Sequence, residues 1–211
     1  MCWHCVAPGA PTGSTMRCPH CLADNPPDAA SCIWCGRPLT SPSLEGTVTL
    51  LFTDIEGWTR LAQRLGDQRA HRLLQEHNRI LKEYVARHSG QAVKHMGDGF
   101  MAAFPSVTRA LHCAVDIQKA FADYNRKHPE SPIKVRVGLN SGESIRDGSD
   151  YSGMAVTVAA RIADKARGGQ ILVSEVVRDL VGSMAGVEFR EAGRRQLKGI
   201  PGRHRLYEVA W

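Results

Sequence analysis

At 211 residues, 43% hydrophobic and 23% charged, the chain has room for one ordinary domain plus a small module, with a composition usual for a soluble protein. No apolar run approaches the ~18 residues of a membrane span, and no basic stretch leads into an apolar one at the N-terminus, so a cytoplasmic protein is expected. The net charge of +6 is unevenly divided: residues 1–46 hold two Arg and three acidic residues (−1), leaving +7 on residues 47–211, which argues against a nucleic-acid-binding head and puts the basic charge where it can attract a polyphosphate.

Six of the seven cysteines fall in the first 35 residues as three C-x-x-C pairs. Cys18-Pro19-His20-Cys21 and Cys32-Ile33-Trp34-Cys35 stand ten residues apart. That spacing sets four thiolates at the corners of a tetrahedron, the arrangement structural Zn²⁺ prefers, and a segment with so little core would fold largely through its metal. Without an export signal, disulfides are disfavoured. Cys2 and Cys5 have no fourth pair. They are half of a degenerate ribbon, or meet their copy in a dimer, or reflect a start upstream of Met16. The expected domains are a Cys-rich zinc ribbon over 1–39 (its intact part 18–39), a linker over 40–46 and a larger domain over 47–211.

In the larger domain, Val48 to Phe52 reads as a strand that runs into the acidic turn Thr53-Asp54-Ile55-Glu56-Gly57. A helical stripe follows: Ala70, Leu73, Leu74, His77, Ile80, Leu81, Tyr84, Val85. Ala92–Met96 and Phe100–Phe104 flank Gly97-Asp98-Gly99, a hairpin signature. Val107 to Phe121 carries a second helical stripe that includes Cys113 as a core residue. Strands are expected at Ile133–Leu139, Gln170–Val173, Val187–Arg190 and Arg205–Val209, and a helix over Ser152–Ala166. This order indicates an α+β fold with helices packed on a mixed sheet. Asp54 and Asp98 then converge at one sheet edge. Paired hard carboxylates there suit Mg²⁺ or Mn²⁺, and two such ions about 3.5–4 Å apart can clamp a phosphoryl displacement.

Five stretches in order make the pattern specific: T-V-T-L-L-F-T-D-I-E-G-W-T, V-K-H-M-G-D-G-F-M-A-A-F, V-R-V-G-L-N-S-G-E, D-Y-S-G-M-A-V-T-V-A-A-R-I and G-G-Q-I-L-V-S. From Thr47 onward the chain resembles the catalytic domain of class III adenylate/guanylate cyclases, a ferredoxin-like cyclase fold. The zinc-ribbon head resembles modules attached to some bacterial members. The resemblance implies two Mg²⁺ or Mn²⁺ per active site beside one structural Zn²⁺. Asp54, Asp98 and the Ile55 carbonyl would hold the catalytic pair. It also implies Lys94 and Asp150 as readers of the adenine of ATP, Arg161 as the transition-state residue and Lys198 as a phosphate contact. In the family each site is shared across a dimer, one protomer giving the metal aspartates and the other the purine readers and the transition-state arginine, so a head-to-tail homodimer with two equivalent sites is expected.

One position departs from the pattern. Thr157 stands where the family has Asn, and losing one oriented donor costs ~10²–10³ in rate by analogy with oxyanion-hole donors. Two readings follow: an adenylate cyclase that makes cyclic AMP and pyrophosphate, or a degenerate domain that binds nucleotide or dimerises and signals through its ribbon. In either, the ribbon is a docking or regulatory module for a protein partner. Because the chain ends at Trp211, regulation is expected through the ribbon, the dimer equilibrium or another protein.

Overall fold

The computed structural model describes residues 15–18, 21–27, 29, 31–36, 39, 46–182 and 186–211. Cys2, Cys5 and residues 40–45 of the expected linker lie outside them. The chain divides between residues 43 and 44 into two compact units.

In the smaller unit, β1 (Met16–Arg17) pairs antiparallel with β2 (Asp24–Asn25). The Sγ atoms of Cys18, Cys21, Cys32 and Cys35 all lie within 4.8 Å of one another. Asn25, buried, joins the two knuckles: its amide donates to the Ala23 carbonyl (2.8 Å) and its oxygen accepts from the Ile33 N–H (2.9 Å). A four-cysteine cluster so braced fits a small zinc ribbon.

The larger unit runs β3 (Thr47–Ile55), α1 (Trp58–Leu65), α2 (Asp67–Arg87), β4 (Gln91–Met96), β5 (Gly99–Phe104), α3 (Val107–Lys127), β6 (Val135–Glu143), β7 (Ile145–Asp147), β8 (Asp150–Ser152), α4 (Met154–Ala163), β9 (Ile171–Ser174), α5 (Glu175–Val181), β10 (Phe189–Gln196) and β11 (Arg203–Val209). Seven strands form one mixed sheet in the order β10-β11-β9-β6-β3-β5-β4. Its central part, β6-β3-β5-β4, is antiparallel throughout, with α2 and α3 as the connecting helices. This is the β-α-β-β-α-β arrangement of ferredoxin-like folds. β6 and β9 run parallel, and α4 lies in the connection between them.

β3 is buried on both faces, so it reads as a nearly continuous apolar run rather than an alternation. Leu51 and Ile55 join the cluster beneath α2 and α3, with Phe100, Phe104, Leu111, Ile117 and Phe121. Val48, Leu50 and Phe52 point the other way, toward Met101, Tyr151 and the alanines of α4. Cys113 is fully buried in the first cluster, as its helical pattern implies.

The expected helix over Ser152–Ala166 is shorter than its pattern. Ser152 ends β8, and Gly153 holds φ 112°, a conformation from which a helix cannot extend backwards. α1, the β7–β8 hairpin and α5 are additions; strands of three residues and short helices carry too little periodicity to be read.

Candidate active site

The site is assembled where β3 and the β4–β5 hairpin meet α4. Ala155, Ala159 and Ala163 recur every fourth residue and form the buried face of α4. They rest on glycines of β6. A Cβ on Gly138 would lie 2.2 Å from the Ala163 backbone nitrogen, and one on Gly142 would lie 3.2 Å from the Ala155 Cβ. Only this small-on-small contact lets the helix sit so low on the sheet. The Asn140 amide donates to the Ala155 carbonyl (3.0 Å), fixing the helix start.

With α4 so placed, Asp54, Lys94, Met96, Thr157, Arg161 and Asp164 line one cleft of about 430 Å³. Roomier hollows lie between α2 and α3 and beside β11. Of the groups singled out by the sequence, Asp54, Lys94, Thr157 and Arg161 gather in this one; Asp150, which Lys94 contacts, is not among its lining residues.

The charges in the cleft are already matched. Lys94 Nζ donates to Asp150 Oδ2 at 2.7 Å. That bond, together with the Tyr151 N–H on Oδ1 (2.7 Å), holds the Asp150 carboxyl below the usual carboxylate range. Tyr151 is fully buried, so the short strand β8 is anchored and Asp150 is presented at a fixed place. Arg161 Nη1 donates to Asp164 Oδ2 at 3.0 Å. Asp54 is in contact with the guanidinium of Arg136, its partner across the β3–β6 ladder.

Thr157 does not present a free donor. Its hydroxyl donates to the Gly153 carbonyl one turn back (3.2 Å), the local bond that helical threonines favour. The donor expected at this position is spent within α4.

Not every expected residue lines the cleft. Asp98 sits half-buried in the turn joining β4 to β5, where Gly97 takes φ 68°; Gly99, next along, does line it. Ile55 ends β3 with its side chain buried. Lys198 is exposed in the turn between β10 and β11, and the chain does not bring it to the cleft.

Two charged residues escaped the sequence reading. Asp164 was findable, since it follows Arg161 at i+3 on a helix. Arg136 was not. In Val135-Arg136-Val137 it reads as an outward residue of an alternating strand, and only the antiparallel register sets it opposite Asp54.

Residues 41–210 match the family of adenylate and guanylate cyclase catalytic domains. The chain belongs to that family. It is 34% identical over 153 residues to a Rhizobium meliloti (strain 1021) protein named "Putative adenylate cyclase 3"; the match covers 72% of this chain but only 26% of the relative. Among solved structures, an adenylate/guanylate cyclase/hydrolase from Silicibacter pomeroyi superposes with a TM-score of 0.68 at 29% identity, covering 77% of this chain and 95% of that one. The adenylyl cyclase CyaB of P. aeruginosa shares the fold, with a TM-score of 0.70 at 22% identity over 78% of this chain and 94% of that one. Among the described residues, no helix is long and apolar enough to cross a membrane.

Proposed function

We propose that the larger domain is an adenylate cyclase, converting ATP to cyclic AMP and pyrophosphate at a site completed in a homodimer. The observation that carries this reading is the half-site that sets Lys94, bonded to Asp150, beside Thr157 and Arg161; in the homodimer this set would face the Asp54 and Asp98 of the second copy.

The donor set suits two divalent cations. Asp54 and Asp98 are hard oxygen ligands at the ends of adjoining strands, and Asp54 already has a cationic group against it. Mg²⁺ or Mn²⁺ bound there would lower the pKa of the ribose 3′-hydroxyl and neutralise charge on the triphosphate. The Asp54 and Asp98 carboxylates, with the Ile55 carbonyl, fix where that charge sits. The Lys94 ammonium donates to adenine N1, and the Asp150 carboxylate accepts from the N6 amino group. This donor–acceptor pair is matched to adenine. Arg161, on the α4 face that lines the cleft, supplies the guanidinium that meets charge growing on the α-phosphoryl oxygens. Lys198 would reach the triphosphate only from a second chain. In the smaller unit the four cysteines would hold one structural Zn²⁺ and present the ribbon to a protein partner. The domain division at 39/40 and 46/47 belongs to the same proposal.

One observation favours a second reading. The Thr157 hydroxyl is engaged with the Gly153 carbonyl, so the domain is short of one transition-state donor and would bind nucleotide with weak turnover. Cyclic AMP formation with Mn²⁺ and with Mg²⁺, in wild type, Asp54→Ala and Thr157→Asn, separates the two. Activity in wild type that is lost in Asp54→Ala supports the cyclase. A silent wild type with an active Thr157→Asn supports the binding module. Silence in all three, with the dimer verified, overturns the enzyme reading.

A further inference from the structure

We infer that Arg136 is the resident counter-ion of the catalytic metal site: it holds Asp54 until a divalent cation displaces it, and so sets how weakly the nucleotide-free protein holds metal. This rests on the reading of Asp54 as a metal ligand.

The placement is built into the sheet. Asp54 and Arg136 face each other in the β3–β6 ladder, nine consecutive pairs from Thr47↔Glu143 to Ile55↔Val135. Val135 and Val137, on either side of Arg136, are fully buried, so the backbone that carries the guanidinium cannot withdraw without opening the core. Both partners are about three-quarters buried, at 29% and 26% exposure, which places the pair where charge interactions are screened less than on an open surface.

Other acids do not compete for the guanidinium. Glu56, the next carboxylate along, accepts from the Gly168 N–H (2.9 Å). Among the described residues, Asp54 is the ion-pair partner found for Arg136, and its Nε has no hydrogen-bond partner. A guanidinium is always charged, so it stays a competitor at any working pH. A divalent cation that takes the Asp54 oxygens must break this pair and leave Arg136 without a carboxylate. Metal alone therefore binds weakly, and the cleft charges with metal most readily when an anion arrives to receive the displaced arginine.

The test is Mn²⁺ titration of the full, zinc-loaded chain without nucleotide, with free Mn²⁺ followed by electron paramagnetic resonance. Removing the unit charge that rests against Asp54 should tighten Mn²⁺ binding by about tenfold in Arg136→Gln. Arg136→Met, which keeps the aliphatic stem, is the second removal, in case the first fails to fold by circular dichroism. Arg136→Lys, which keeps the charge, should stay near wild type, and the tightening should vanish when Asp54→Ala is combined with Arg136→Gln. If Asp54→Ala weakens Mn²⁺ binding but neither removal of Arg136 tightens it, the metal-ligand reading stands and the counter-ion inference falls. If Asp54→Ala changes nothing in either background, both fall.

Discussion

The two faces of the central sheet are packed by different means. Beneath α2 and α3 the core is made of large side chains: Leu81, Phe100, Phe104, Ile117 and Phe121 are each at most 1% exposed. On the other face α4 sets Ala155 and Ala163 directly on Gly142 and Gly138 of β6, a close small-on-small contact flanked by larger residues such as Leu50, Met101 and Ile162. Large interdigitating side chains remove much apolar area from water and carry stability. Small residues remove less, but they fix the distance between two backbones. One face holds the fold together, and the other holds the site in place.

That division can be broken by experiment. Phe121→Ala on the first face should cost about 3–5 kcal/mol, read as a lower urea midpoint, with turnover per folded molecule unchanged. A loss of turnover larger than the loss of folded protein would show that the first face also sets geometry.

His77 gives the same face a pH signature. It is fully buried, stacks on Phe121 with ring centroids 5.5 Å apart, and burial pushes its pKa down to about 4. Between about 4 and the ordinary 6.5 the unfolded chain binds a proton that the folded chain does not. Stability therefore rises with pH across this window and falls on acidification, by about 3 kcal/mol from this group. As the pH is lowered from 7 to 4, wild type should lose stability relative to His77→Leu, when urea midpoints of the two are compared. Parallel curves would mean that His77 takes up its proton in the folded state.

The smallest expected effect tests the second face. Gly138→Ala puts a methyl group where the Ala163 backbone stands, so α4 must lift. A displacement of about 1 Å at a catalytic helix costs on the order of a hundredfold in turnover. The circular dichroism spectrum should remain that of the folded domain. Unchanged turnover would show that the seat of α4 does not govern the reaction.

Much of this was legible in the residues. α2 and α3 were marked by helical periodicity because each buries one face, β3 by a nearly continuous apolar run because both its faces are buried, and the β4–β5 hairpin by Gly-Asp-Gly. Asp54 and Asp98 were conspicuous as carboxylates placed just past runs that read as strands. Lys94 and Asp150 became a pair only through resemblance, and the structure gives them a 2.7 Å bond. The start of α4 was misread because Ser152 and Gly153 precede an alanine-rich run that tolerates helix, while the hairpin ending at Ser152 is decided by tertiary pairing. Arg136 was hidden for a deeper reason. Its meaning lies in strand register, which is set by the whole sheet and not by neighbouring residues.

The parallel pairing of β6 with β9 has a mechanical consequence. The β7–β8 hairpin and α4 together cross between two bonded neighbours of one sheet, and the Asn140 bond to the Ala155 carbonyl ties the start of α4 to β6, so α4 is a strap held at both ends rather than a hinged flap. Lifting it would strain two strands at once. The residues it carries behave as a fixed die, so control over the cleft falls to whatever is pressed against it.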